Sequence, residues 1–365
     1  TENTDGTTTY SWTNNTPSIG LVSSGNGDIS SFNVINNGTS TVTATIIVTP
    51  SFEGCDGPTE TFTITVNPTA EMNDPVDIVV CDEEVTDIVE FTTNNTGGTT
   101  TYTWTNDTPA IGLVASGSGD LSSFTAINTG TEPIVAIVEV TPLYSDDINC
   151  DGISQTFTIT VNPSAQVDDP QDQLLCNGDD LFVVFSTQNT IGITSYSWTS
   201  DIDFGNGLNG EGNIDFTAVN NGTSPIIANI TVTPSYNENG ITCSGVGPSQ
   251  LFSITVNGNI DPKPTISNYN GFQISCFEAN DGFINLSPEG GIPNDASPFY
   301  SYLWTGPNNF SSNNQNIENL EPGIYNLTIS DSLNCSFDFD YEINEPELLE
   351  IFVDNQSDIQ CNGVF

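Results

Sequence analysis

The side chains able to do chemistry in this sequence are cysteines and carboxylates. Eight cysteines fall into two recurring classes: Cys81, Cys176, Cys276 and Cys361 at one kind of corner, and Cys55, Cys150, Cys243 and Cys335 in a turn that precedes a strand-like run. An even number of cysteines at regular spacing reads as a disulfide framework in an oxidising, exported setting. Zinc binding is disfavoured, because the sequence has no C-x-x-C and no His. The carboxylates cluster at Asp74/Asp77, Asp82-Glu83-Glu84, Asp168/Asp169/Asp172 and Asp179-Asp180. Calcium takes oxygen ligands and often stiffens junctions between extracellular modules, which makes Asp74, Asp77, Asp168, Asp169 and Asp172 candidate ligands. No EF-hand spacing is present, so solvated loops are the competing reading.

The same inventory excludes whole classes of function. Against 47 Asp+Glu there is one Lys+Arg, Lys263, and the formal net charge is −46. No basic patch exists to neutralise nucleic-acid phosphates or to meet anionic lipid. Without His there is no Ser-His-Asp triad, no Cys-His pair and no His metal ligand. A Lys–Asn isopeptide crosslink has one available amine. Nothing isolates one carboxylate pair as a glycosidase site, so the chain reads as a non-enzyme with no cofactor. No apolar run approaches the ~18 residues of a membrane span, and no membrane contact is expected of this segment. The imbalance is depletion of bases rather than excess of acid, and it implies that identical repeats repel one another.

What positions these side chains is a repeated β architecture. The segment Thr7–Phe32 (TTTYSWTNNTPSIGLVSSGNGDISSF) returns as Thr99–Phe124 (TTTYTWTNDTPAIGLVASGSGDLSSF), and a third copy begins TSYSWTS at Thr194. Tyr-x-Trp places Trp12, Trp104, Trp198 and Trp304 at spacings of 92, 94 and 106 residues. Val-Thr-Pro recurs at Val48, Val140 and Val232, and FTITVNP at Phe62 and Phe157 with FSITVNG at Phe252. A period near 93 is one β-sandwich per repeat.

The second copy predicts strands over Ala70–Val80 (A), Val85–Thr93 (B), Thr100–Thr105 (C), Ile111–Ala115, Leu121–Ile127, Ile134–Val140 (F) and Gln155–Val161 (G). The expected fold class is all-β, tandem immunoglobulin-like or PKD-like sandwiches forming an extended rod. Expected domains are 1–68, lacking its first two strands, then 69–163, 164–258, 259–345, and 346–365 as the start of another; the phase of the repeats implies a window cut from a longer array. The four Trp belong in cores, the competing role being carbohydrate stacking. Gly25-Asn26-Gly27 and Gly117-Ser118-Gly119 lack the Lys of a phosphate loop and read as turns.

The first three copies resemble the PKD-like repeats of very large surface proteins of gliding Bacteroidetes. The fourth unit differs: ISCFEANDGFINLSPEGG (Ile274–Gly291), SPFYSYLWTG (Ser297–Gly306), NLEPGIYNLTISDSLNC (Asn319–Cys335) and INEP (Ile343–Pro346) look like the repeat of the SprB-type gliding adhesins. Cys276-Phe277-Glu278 departs from the usual Cys-Asn-Gly, which Cys361-Asn362-Gly363 keeps. The resemblance implies type IX secretion, a cell-surface filament on the outer membrane, and partnership with a gliding motor and the secretion machinery. Asp331-Ser332-Leu333 resembles the Bacteroidetes O-glycosylation motif.

In a sandwich the A–B corner and the F–G turn lie at opposite ends, and a ten-residue strand spans roughly 33 Å, against about 7 Å between bonded cysteine Cα atoms. That geometry favours pairing across neighbouring repeats, Cys81–Cys243 and Cys176–Cys335. The alternative is pairing within repeats: Cys81–Cys150, Cys176–Cys243 and Cys276–Cys335. The functional expectation is a structural stalk of a surface adhesin whose partners are neighbouring repeats. The alternative is an array binding surface polysaccharide, through the Trp faces or the loops around Asn308–Asn316.

Overall fold

The computed structural model describes residues 5–205, 207–244 and 247–352. Two compact units divide the chain: one runs to Gln166 and adds Thr187–Ser195 and Pro234–Pro248, and the other comprises Val167–Ser186, Tyr196–Thr233 and the chain from Ser249. The fold is a series of tandem β-sandwich domains; among the described residues the helical elements are single 3-10 turns at Pro17–Ile19, Pro109–Ile111 and Pro307–Asn309.

In the first unit, β1 (Thr8–Asn14), β2 (Ser24–Asn26), β3 (Val42–Phe52), β4 (Cys55–Asp56) and β5 (Glu60–Val66) form a sheet in the order β2-β1-β3-β4, with β5 also on β3. A second sheet has the order β6-β11-β9-β7-β8 with β10 on β9, where β6 is Ile78–Cys81, β7 Thr99–Asn106, β8 Ser116–Ser118, β9 Ile134–Asp146, β10 Ile148–Asp151 and β11 Gln155–Asn162. β6 runs parallel to β11, and the other pairs are antiparallel. Alternation writes the second core: Ala136, Val138, Val140 and Tyr144 on β9 are fully buried, while Val135 and Ile137 face outward.

The third sheet has the order β12-β19-β17-β14-β15 with β18 on β17, from β12 (Gln173–Leu175), β14 (Ile193–Ser200), β15 (Asn209–Glu211), β17 (Ile226–Glu238), β18 (Ile241–Ser244) and β19 (Gln250–Val256). β13 (Asp180–Val183) and β16 (Ile214–Thr217) form its opposing layer. The last sandwich, wholly in the second unit, joins β20 (Ile260–Asp261) to β23 (Glu289–Gly290) and β21 (Pro264–Ile266) to β22 (Gly282–Leu286) and β26 (Ile317–Leu320). Its other layer is β25-β24-β27-β28, from β24 (Ser301–Thr305), β25 (Ser311–Ser312), β27 (Gly323–Ser330) and β28 (Ser336–Ile343).

Four strand expectations are corrected, one of them Leu121–Ile127, which holds only isolated bridges at Leu121 and Thr125. Regular pairing of strand A is confined to Ile78–Cys81, because the stretch before it contains Pro75, which has no N–H for a ladder. Val85–Thr93 makes only isolated bridges, Val85 to Thr125 and Val89 to Leu121, while the Asp120 carboxylate accepts the Phe91 N–H at 2.9 Å in place of a ladder partner. Ile111 lies in a 3-10 turn opened by Pro109 and closed by Gly112 at φ 94°, and the strand follows only at Ser116.

Gly25-Asn26 and Gly117-Ser118 lie in short strands rather than turns, while Gly27 and Gly119, each at φ 72°, turn the chain at the ends of those strands. Gly25 pairs with Trp12 and Gly117 with Trp104, and a Cβ on Gly117 would stand 2.2 Å from Trp104 Cζ2. These glycines let a backbone lie flat against the indole face. Trp12, Trp104, Trp198 and Trp304 are all buried, at 7 %, 6 %, 3 % and 0 % exposure.

Candidate functional site at the repeat junctions

The cysteines, the acidic corners and a recurring asparagine converge where one repeat meets the next. In the first unit, Cys81 ends β6 and is joined to Cys243 on β18, with Cα atoms 5.6 Å apart. A small core of Cys81, Ala165, Tyr236 and Cys243 encloses the bond. In the second unit Cys176 is joined to Cys335, with Cα atoms 5.5 Å apart. The within-repeat pairs Cys81–Cys150, Cys176–Cys243 and Cys276–Cys335 are not formed. Cys81 lies opposite Asn162 at the far end of β11, whereas Cys150 precedes the start of that strand at Gln155. The eight residues of β11 span about 23 Å, well beyond disulfide reach. Cys55 and Cys276 are exposed thiols and Cys150 is partly buried, while Cys361 lies outside the described residues.

Each junction also carries an asparagine from the ITVN element. Asn67 Nδ2 donates to the carbonyls of Asp146 (3.4 Å) and Ile148 (3.0 Å), and Asn162 Nδ2 to that of Glu238 (3.2 Å). Asn257 Nδ2 donates to the Asp331 carboxylate, which also accepts the N–H groups of Ile292, Leu333 and Cys335. These asparagines do not figure in the sequence reading. The signal was available, since an Asn directly after an alternating apolar strand recurs in all three copies.

The acidic residues close the corners. Glu84 accepts the Cys81 N–H and Asp179 the Cys176 N–H, each at 2.9 Å. Asp82, 9 % exposed, accepts from the Asn128 N–H and the Ser164 hydroxyl. Of the calcium candidates, Asp77 accepts the Thr158 N–H at 2.7 Å and Asp172 the Ser253 N–H at 2.6 Å, and these bonds hold both carboxyls below their ordinary pKa. Asp168 accepts from the Ser186 hydroxyl, Asp74 lines an open cleft, and the Asp169 carbonyl accepts from the Gln171 side chain. Among the described residues no group of three or more Cys, Asp or Glu is arranged to hold a metal ion. Lys263 pairs with Glu289 on the surface.

Around Asn308–Asn316, a polar cleft of about 450 Å³ is lined by Asn285, Phe310, Ser311, Asn314 and Glu318. Trp304 does not open into a stacking face there: its Nε1 donates to the Asn314 carbonyl at 3.0 Å from within the core.

No family model matches the chain, and no curated protein matches it. Among solved structures it is similar to extracellular domains 3–5 of Drosophila OTK, at 13% identity over 77% of this chain and 99% of that one, TM-score 0.28. It is also similar to the N-terminal eight Ig domains of Down Syndrome Cell Adhesion Molecule, at 12% identity over 92% of this chain and 44% of that one, TM-score 0.30. The human Desmocollin-1 ectodomain matches at 13% identity over 87% of this chain and 66% of that one, TM-score 0.22.

Proposed function

We propose that this chain is a structural stalk segment of a large secreted cell-surface adhesin, of the gliding-motility type its repeats resemble, with no catalytic role. The observation that carries the reading is the Cys81–Cys243 bond, which ties one repeat to the next in parallel with the main chain. Tension entering such a junction has two covalent routes, and the paired asparagine and carboxylate contacts keep the hairpin seated between loads. Buried Trp side chains in every repeat further support a shaft over a row of sugar-stacking platforms.

Single-molecule stretching tests this reading. In a Cys176→Ser, Cys335→Ser variant, reduction of Cys81–Cys243 releases the 162 residues it spans, about 550 Å of extra contour length at ~3.4 Å per residue. Equal extension before and after reduction would end the proposal. A glycan array that shows specific binding lost on Phe310→Ala would favour the polysaccharide reading instead.

A further inference from the structure

The second repeat keeps one edge of its sandwich open. β6 is the last strand of its sheet and pairs only with β11 among the described residues. The Asp82 N–H reaches the Asn162 carbonyl on the β11 side, whereas the Cys81 N–H points the other way and is taken by the Glu84 carboxylate. Backbone groups alternate between the two sides of a strand, so the N–H and C=O of Val79 face outward with those of Cys81 and meet no neighbouring strand. On the opposing layer, Val89 exchanges both of its backbone hydrogen bonds with Leu121, which turns the backbone groups of Ile88 and Glu90 away from that partner.

Between these two edges lies a cleft of about 590 Å³. Its floor is the core itself: Val80 is buried, and Ile78 and Val89 pack against the same cluster. Its lips are bare and apolar, with Val76, Val85 and Ile88 77 %, 65 % and 61 % exposed. Its rim is acidic, formed by Asp74, Asp87 and Glu90. Asp77 and Asp120 are occupied by the N–H groups of Thr158 and Phe91, but the three rim carboxylates accept no hydrogen bond among the described residues.

The third repeat does not repeat this combination. Cys176 corresponds to Cys81, and Phe185 to Phe91, each phenylalanine standing between the equivalent Tyr and Phe of its core. Counted back from the cysteine, Gln171 and Gln173 take the places of Val76 and Ile78. Counted back from the phenylalanine, Leu181 and Val184 take those of Asp87 and Glu90. The apolar lips and the acidic rim therefore occur together in the second repeat and not in the third.

We propose that this cleft receives an extended, lysine- or arginine-bearing segment of another polypeptide, which adds a strand to the free edge of β6. A backbone laid there pairs with the outward N–H and C=O of Val79. Alternate apolar side chains of the segment reach Ile78, Val80 and Val89 and take the lips out of water. The intervening basic side chains reach Asp74, Asp87 and Glu90. A second copy of this chain does not fit the same chemistry, because it offers Lys263 as its one basic side chain against 47 Asp+Glu. Such docking is independent of the stalk reading, since it concerns one cleft whatever load the chain carries.

The probe is a capped heptapeptide of alternating lysine and valine, titrated calorimetrically into the full chain. Salt is held at about 0.15 M, where long-range attraction to the overall negative charge is largely screened. The expected result is saturable binding at one site, with hydrogen-exchange protection confined to residues 76–80 and 85–90. A lysine–serine heptapeptide, equal in charge but without apolar side chains, should bind about tenfold more weakly or worse, and a glutamate–valine one likewise. The Asp87→Asn, Glu90→Gln chain keeps the shape of the rim and should melt with the parent, yet lose about tenfold in affinity for the lysine–valine peptide. Absence of binding, equal binding of the lysine–serine peptide, undiminished binding by the neutralised rim, or protection that falls on Gln173–Leu175 as much as on β6 would each overturn the proposal.

Discussion

Asn257 donates through Nδ2 to the carboxylate of Asp331, 74 residues further along the chain, and both side chains are buried. Its Oδ1 accepts the Gly258 N–H at 3.0 Å, so the amide is used at both ends. Asn162, in the equivalent place, donates to a neutral carbonyl, and its Oδ1 has no donor among the described residues. Hydrogen bonds to charged partners are worth about 1.5–3 kcal/mol and neutral ones about 1. Asn257→Ala should therefore destabilise by about 2–3 kcal/mol and Asn162→Ala by about 1, as read by urea denaturation. A reversed order would mean that burial, rather than the charge of the partner, sets the strength of these junctions.

The disulfides should dominate that scale. Cys81–Cys243 closes a loop of 162 residues, for which the chain-entropy relation gives about 5 kcal/mol. The Cys81→Ser, Cys243→Ser chain should melt well below the parent by calorimetry, and reducing the parent, which also opens Cys176–Cys335, should bring its midpoint lower still. Cys276→Ser, at an exposed thiol, should shift stability by less than about 0.5 kcal/mol. If the serine pair melted with the parent, the native junction would already be held by its asparagine and apolar contacts.

The close approach of Gly117 to Trp104 is testable on its own. A Cβ there would stand 2.2 Å from the indole, and it would also contact Cε2 and Cη2. Gly117→Ala should destabilise the second repeat by about 1–3 kcal/mol through overpacking, and Trp104→Ala by about 3–5 through the cavity it leaves. A Gly117→Ala chain within about 0.5 kcal/mol of the parent would show that the ring gives way easily.

How much of this was legible in the sequence follows from what recurs. Trp12, Trp104 and Trp198 repeat with their flanking residues, so the sandwich period and the buried indoles could be read directly. Ladder-free stretches could not: Val85–Thr93 alternates like a strand, yet the Asp120 carboxylate and the Thr86 hydroxyl replace backbone partners there, a substitution that β propensity does not register. Asp77 and Asp172 were conspicuous as acids, but their role as acceptors for Thr158 and Ser253 depends on strand register, which composition does not carry. Asn162 recurs visibly in the repeats, but its partner is not legible there, because the carbonyl of Glu238 lies 76 residues away and is backbone.

Acid sets two effects of this chain against each other. At pH 7 the formal charge is −46, and protonation toward pH 4 relieves that self-repulsion, which favours the compact state. Asp77, Asp172, Asp201 and Asp281, however, have pKa values lowered by hydrogen bonds from Thr158, Ser253, Asn229 and Ser275. A carboxyl whose folded pKa lies below its unfolded value of about 4 adds stability above that value and loses it as pH falls through the folded one. Tm should hold or rise from pH 7 to about 5 and fall below about 4. The Asp77→Asn, Asp172→Asn chain should show a shallower acid limb. Molar salt, with a Debye length of about 3 Å, should raise Tm at pH 7 and leave it nearly unchanged at pH 3, where few charges remain to screen. A Tm that climbed steadily to pH 2 would mean that repulsion outweighs the backbone-capping carboxylates throughout, and that Asp77 and Asp172 can be lost without consequence to β6 and β12.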